Sequence, residues 1–434
     1  MRLVDKSQKS TILFLYLVAF GLLWLGYASF IVPVFAYSGF EWSPNRIKVL
    51  ESLLVIFFFV WCLPSAIRRP SDCFVHIHFL LPVLPMLVLY GAADYAREYM
   101  YFVILAFAIV CMIRKLHIPK IKGDIVPTSI MMWGSLLVVA IYILGVFLQG
   151  GSTYFNLDLR RVYEFRMAAA ENLPRYLTNI VSNILIPFIL ILAVSRRKLL
   201  IACLAILGSV MIFGLSSHKS MLFYPFFALA IYQIIRSNIR FIPLFLISYI
   251  AIMLITLFPF FINQIASTER SPVSILLGSL GFRRGYFTPS FINFGYYEFF
   301  STHPHTTWAE SKLTFGLVDY PYNVSATHLM GYHLFDNVKT GANTAWLGSG
   351  YMHLGVAGLL LYAFIIGLLF AIVDMLAKGR DFGIITAMLF IPFLALFINS
   401  DLPTVMLTHG LLFSFFITWI CQLKTKHIPP NISF

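Results

Sequence analysis

Five arginines have the type and spacing to do chemistry. Arg160, Arg161 and Arg166 fall within "NLDLRRVYEFR" (156–166), and Arg283 and Arg284 stand side by side in "GFRRGYFTPS" (281–290). Lys219 heads a further apolar tract. Burying a guanidinium is costly unless it is paired. Its planar fork matches phosphate oxygens in bidentate fashion. Such groups where apolar tracts meet water suit a lipid diphosphate; the plainer alternative is snorkelling to ordinary headgroups. Downstream, Trp308, Tyr320, Tyr322, Tyr332 and Asn343 lie among Asn, His, Thr and Asp side chains. Aromatics interleaved with hydrogen-bonding groups suit the apolar faces and the hydroxyls of sugars; the alternative is an interfacial aromatic belt.

Other chemistries are poorly provided for. There is no G-x-x-x-x-G-K-[ST] loop and no D-x-D pair. The loop at 37–48 has Glu41 as its only acid. Of the H-x-H pairs, His76/His78 lies inside an apolar tract and His303/His305 flanks a proline, so neither makes a good metal site. Coupled transport calls for ionisable groups at mid-membrane. Glu51, Asp374 and Lys219 lie near tract ends, and His353 lies in the outer part of its tract.

The elements that must position these residues are membrane helices. The chain is 60% hydrophobic and 11% charged, against about 25% charged in soluble proteins. Twelve apolar tracts predict spans at about 11–36, 49–67, 74–92, 98–113, 126–148, 177–195, 198–214, 219–236, 241–262, 343–373, 382–399 and 404–423. They imply one all-α, polytopic unit over 1–434. The first tract lacks a cleavage site and reads as a permanent helix.

Basic residues alternate between the loops. The N-terminus (Arg2, Lys6, Lys9), "RRP" (68–70), "RKLHIPKIK" (114–122), "SRRK" (195–198), Arg236 and Arg240, "KGR" (378–380) and the tail Lys424 and Lys426 share one side, with 18 of the 31 bases and five acids. The positive-inside rule makes that side cytoplasmic, with both termini inside. The other side balances 13 bases with 13 acids, so topology accounts for the whole net charge of +13 and none of it points to nucleic acid. Cys62, Cys73, Cys111, Cys203 and Cys421 all fall toward the inner side, and no outer disulfide is expected.

Two outer segments are long, 149–176 and 263–342. In the first, 157–176 reads as a short helix capped by Asp158 and ended by Pro174, with Arg160–Glu164 and Glu171–Arg175 pairs on its polar face and Arg166 on the apolar side. The second begins as an aromatic-rich apolar stretch, expected to be a helical hairpin at the interface, and then turns polar.

"NLDLRRVYEFR", "GLSSHKSMLFYPFFALAIY" (214–232), "GFRRGYFTPS" and "ANTAWLGSGYMHLGVAGLLLYAFIIGLLF" (342–370) resemble the bacterial O-antigen polymerase family, Wzy; "AIRRPSD" (66–72) resembles one branch of it. The resemblance implies a cofactor-free, metal-independent glycosyltransferase of the GT-C type in the bacterial inner membrane. Its partners would be undecaprenyl-diphosphate-linked oligosaccharides, membrane lipids and a chain-length regulator protein. The growing glycan would move from its lipid diphosphate to the non-reducing end of an incoming repeat unit on the periplasmic face. The family pattern marks Arg160, Arg161, Arg166, Arg283 and Arg284 as functional. Arginines at the leaving diphosphate would stabilise its charge as a metal does, with Lys219 beside them. The acceptor hydroxyl needs a base or an orienting acceptor. Candidates are Glu164, Glu298, His303, His305, His328, His333 and His353, and the sequence does not choose among them. The O-antigen ligase is the nearest rival, but ligases place His before Asn or Ser where this chain has Ala342 before Asn343. A flippase would show charged residues in its membrane cavity and related halves, and neither is seen.

Charge and cysteine placement together predict that 149–176 and 263–342 are periplasmic. Cysteines introduced at Ser152 and Ser325 in a cysteine-free background are expected to react with a membrane-impermeant thiol reagent once the outer membrane is permeabilised. Protection of either until the inner membrane is opened would break the topology.

Overall fold

The computed structural model describes residues 2–237, 240–265 and 272–423; the tail bases Lys424 and Lys426 and the start of the second outer segment at 266–271 lie outside them. Among the described residues the fold is all-helical, with one isolated β-bridge, Val126 to Cys421. Eight helical stretches are long and apolar enough to cross a membrane, among them Ser7–Ser38, Pro70–Ala92, Thr128–Leu148 and Phe241–Ile262. The chain is a multi-pass membrane protein. At 1.5 Å per residue, a helix of about 20 residues spans the roughly 30 Å hydrocarbon core. Thr128–Leu148 shows how such a helix is used: Ile130, Leu137, Ile141, Leu144 and Leu148 are exposed at helical spacing, while Met132, Ser135, Val139, Tyr142 and Val146 are buried. The predicted spans at 49–67, 98–113, 219–236 and 382–399 are helical too, as Arg46–Cys62, Arg97–Ile113, Lys219–Arg236 and Phe382–Ile398.

By contacts the chain divides into two compact units. The first comprises 1–116, 240–370 and 396–402; the second comprises 117–239, 371–395 and 403–434. Each holds an ion pair built on a buried arginine. In the first, Arg114 Nη1 donates to Asp72 Oδ1 at 2.8 Å, and Asp72 Oδ2 accepts the backbone N–H groups of Arg68 and Arg69. In the second, Arg380 Nε donates to Asp124 Oδ1 at 2.6 Å and Nη2 to the Trp419 carbonyl.

Three predicted elements take a different form. The 404–423 tract is two helices, Leu402–Leu407 and Leu411–Ile420, because Gly410 takes a left-handed conformation (φ 80°) between them. The stretch expected to turn back as a hairpin runs straight on instead. Pro272–Leu277, a ten-residue π-helix Gly278–Phe287 and Thr288–Phe300 follow one another through right-handed helical joints. Phe282, Tyr286 and Phe287 pack against Phe30, Tyr249 and Tyr27 respectively. Their spacing of four to five residues suits the wide π turn, and burying that face favours a continuous rod over a turn.

The third is the 343–373 tract. Trp346–Ala377 is helical at both ends but breaks at Leu354 (φ −151°, ψ 32°) and Gly355 (φ 59°, ψ −142°). A straight 32-residue helix would be about 48 Å long, too long for the bilayer core. The halves lie back to back: a Cβ added to Gly358 would fall 2.2 Å from the Gly350 carbonyl oxygen, and one at Gly350 3.1 Å from the Leu359 Cα. The glycines permit this contact, and only glycine tolerates the Gly355 conformation comfortably. The first arm, 346–353, is held at its start by Asn293, whose Oδ1 accepts Gly348 N–H at 2.7 Å and the Thr344 hydroxyl at 3.0 Å. At its first residue, Trp346 Nε1 donates to His78 Nε2 at 3.1 Å.

Gly358→Ala is expected to destabilise the protein by about 1–3 kcal/mol, read as a lower thermal midpoint in detergent. Gly145→Ala, where an added Cβ meets nothing within 4 Å, is expected to leave the midpoint level or raise it. Equal midpoints for the two variants would contradict the back-to-back packing.

Candidate functional site

In the first unit, the break in the 346–377 helix assembles a buried polar network. A helix break orphans carbonyls, and here the polar segment after 300 supplies their partners. Thr306 N–H donates to Met352 O and Thr307 N–H to His353 O, both at 3.1 Å. To reach them the chain holds Thr307 and Trp308 at positive φ, 43° and 60°, which for non-glycine residues costs about 1–3 kcal/mol each. Strain at these two residues thus lies beside His353.

His353 is 4% exposed. Its Nδ1 faces Trp308 N–H at 3.2 Å and the Thr306 hydroxyl at 2.8 Å; its Nε2 faces Asp401 Oδ2 at 3.2 Å. An amide N–H only donates, so Nδ1 accepts and Nε2–H donates to the carboxylate. Tyr362 OH donates to Asp401 Oδ1 at 2.9 Å, and Trp308 Nε1 donates to Tyr362 OH at 2.7 Å. The Trp308 ring stacks on His353, with centroids 5.0 Å apart. Both ring nitrogens of His353 are therefore engaged. Asp401 is partly exposed, its side chain at 23%, as is Trp308.

Sequence reasoning passed over Asp401 and Tyr362. Asp401 sits in "NSDLP" between two apolar tracts, where a lone acid at an outer turn reads as surface. Its partners lie 39 and 48 residues away in sequence, beyond any local spacing rule. The one available signal was a charged group at a span boundary.

The arginine pair also lies in the first unit. Arg283 is half-buried and Arg284 exposed on the π-helix. The Arg283 guanidinium lies 4.2 Å from the centroid of the Phe35 ring, and its buried Nε has no hydrogen-bond partner among the described residues. No carboxylate among the described residues forms an ion pair with either arginine. Burial, and then the charge of Arg284, lowers the Arg283 pKa from its ordinary value. An anion beside the pair would relieve both effects.

The other sequence-selected residues of this unit are dispersed. Tyr322 is half-buried, with its hydroxyl donating to Pro304 O at 2.5 Å, and Asn343 is exposed just before the broken helix. Trp308 is partly committed to His353 and Tyr362 as described. His303 stacks on Phe299 with centroids 4.0 Å apart, His328 bonds Ser325 Oγ at 2.8 Å, and His333 meets the Phe299 edge. His305 lies beside Gly355, against the Tyr351 ring. Glu298 joins Glu41, Asp94, Tyr95, Phe294 and Tyr297 around a cavity of about 510 Å³. Among the described residues no three His, Cys, Asp or Glu side chains are grouped to hold a metal. His76 instead contacts Tyr16 OH and Pro64 O, and His78 stacks on Phe397.

The second unit holds Arg160, Arg161, Arg166, Lys219 and Glu164. The helix there is Val162–Asn172; Asp158 Oδ1 accepts Arg160 N–H one turn earlier, and Pro174 opens the next helix. This shift by a turn changes the pairing. Arg161, not Arg160, bonds Glu164 at 2.9 Å, and both side chains are exposed. Arg160 is exposed, and Lys219 is exposed at the first position of its helix. Arg166, on the less exposed side, reaches Ser217 O at 3.5 Å. Burial and the nearby Arg166 charge hold His218 down to about 4, so it is neutral near pH 7.

No family model, curated protein or solved structure matches the chain.

Proposed function

We propose that this protein is a polymerase of lipid-linked oligosaccharide repeat units, of the O-antigen polymerase type its motifs resemble. The growing glycan moves from undecaprenyl diphosphate to the non-reducing end of a second lipid-linked unit. In this reading twelve helices span the inner membrane in a GT-C-like arrangement, both termini are cytoplasmic, and chemistry takes place at the periplasmic face. No metal or other cofactor takes part.

One observation carries the reading: two adjacent arginines, one half-buried against Phe35 with an unbonded Nε, lack a carboxylate partner among the described residues. A diphosphate supplies the anionic oxygens they lack. Its negative charge grows as it leaves, and preorganised guanidinium groups favour that state over the ground state. Arg160, Arg161, Arg166 and Lys219 add cationic side chains for the second lipid diphosphate. Trp308, Tyr322 and Asn343 contact sugar, and the 510 Å³ cavity has the size of a small-molecule site, with carboxylates for hydroxyl donors and aromatic faces for sugar rings.

In a host that makes the repeat unit, deleting this protein is expected to abolish the O-antigen ladder and leave the core capped with a single repeat. Loss of every repeat would indicate a ligase or a flippase. With purified protein, Arg284→Ala is expected to lower polymer formation by about 10²–10³-fold, by analogy with removing one preorganised donor. Arg284→Lys should also lose much of it, because Lys lacks the planar fork. Full activity of the double Arg283→Lys, Arg284→Lys protein would reduce the pair to a membrane anchor.

A further inference from the structure

We propose that Asp401 is the group that receives the proton of the acceptor hydroxyl, held in place by His353 and Tyr362. The inference rests on the polymerase reading and adds its missing base, a residue outside the set the sequence nominated.

A carboxylate offers about four lone-pair positions. Oδ1 of Asp401 accepts two hydrogen bonds, from Tyr362 OH and from Leu402 N–H, each at 2.9 Å. Oδ2 accepts one, from His353 Nε2–H at 3.2 Å. One position on Oδ2 is left among the described residues, and the Asp401 side chain is partly exposed. His353 has no such vacancy. Its Nδ1 is occupied by an amide proton that cannot be given up, so the ring cannot pass a proton through itself. The order of a nucleophile–His–Asp triad is therefore reversed: the imidazole is behind and the acid is in front.

The surroundings fit a positioned base. Three donors fix the carboxylate plane, and the strained Thr307–Trp308 turn and the Gly355 break are maintained around it. Strain of this kind persists where the surrounding structure over-determines it and clusters at active sites. The residues come from three parts of the chain, 306–308, the broken helix at 353 and 362, and 401; the charge pattern assigns 306–308 and 401 to the outer side and His353 to the outer part of its tract.

The step balances without any further reactant. The acceptor hydroxyl oxygen forms a bond to the anomeric carbon of the donor glycan. The bond from that carbon to the diphosphate oxygen breaks, and its electron pair leaves with undecaprenyl diphosphate. The hydroxyl proton passes to Asp401 Oδ2 and from there to water. Asp401 is the catalytic residue in this scheme; His353 and Tyr362 are positioning residues.

The test uses the full chain in detergent and undecaprenyl-diphosphate-linked repeat units extracted from a host that makes them but lacks this protein. If the wild-type protein makes no polymer, the polymerase reading itself fails. If it does, Asp401→Asn is expected to lower kcat by about 10²–10⁴-fold, the usual contribution of a general base, with binding of undecaprenyl diphosphate within about threefold of wild type. A kcat within tenfold of wild type would overturn the assignment. Tyr362→Phe decides the matter if Asp401→Asn does not hold its fold. The titratable groups facing Asp401 are His353, Tyr362 and Tyr296. Removing the Tyr362 hydrogen bond loosens the carboxylate, so kcat should fall about tenfold or more with KM and undecaprenyl diphosphate binding unchanged. An unchanged kcat, or a loss shared equally with binding, would contradict a base at Asp401.

Discussion

The polar network of the first unit depends on two peptide carbonyls, those of Met352 and His353. The helix that should bond them ends at Leu354–Gly355, and in a membrane protein an unbonded carbonyl away from water is not tolerated. The amides of Thr306 and Thr307 meet them. That exchange fastens a polar loop to a membrane helix, turns Trp308 onto His353 and Tyr362, and places the imidazole against Asp401. Remove the break and the loop loses its attachment, the arm at 346–353 loses its direction, and the carboxylate loses the donors that orient it.

Much of this architecture was legible in the sequence, because a bilayer leaves few choices. Apolar tracts of about 20 residues must be helices, and each predicted tract is helical. The stretch 278–300 and the tract at 404–423 departed from expectation for reasons that composition does not carry. A π-helix is chosen by which aromatic residues meet across the interior, here Phe282 with Phe30 and Tyr286 with Tyr249. A left-handed glycine such as Gly410 looks, in sequence, like any other glycine in an apolar run. The break at Gly355 was similarly hidden, although Gly350, Gly355 and Gly358 together are the composition that a back-to-back pair of half-helices requires.

The sequence singled out part of the candidate site. Arginine type and position singled out Arg283 and Arg284, and the structure leaves the pair without a carboxylate partner among the described residues. The acid side was not legible. Glu164 and the histidines drew attention as ionisable groups, yet Glu164 is spent on Arg161, His303 on Phe299 and His353 on the network behind Asp401. What decides the role of an ionisable side chain is which lone pairs remain open after folding, and that is set by partners dozens of residues away.

In the proposed reaction, cations wait where negative charge leaves and a carboxylate waits where a proton leaves. The most direct measurement is a structure of the protein with undecaprenyl diphosphate and a repeat-unit acceptor bound. The account predicts diphosphate oxygens at about 3 Å from the Arg283 or Arg284 guanidinium nitrogens, and a sugar hydroxyl at similar distance from Asp401 Oδ2. A diphosphate seated away from the pair, with the acceptor remote from Asp401, would contradict it.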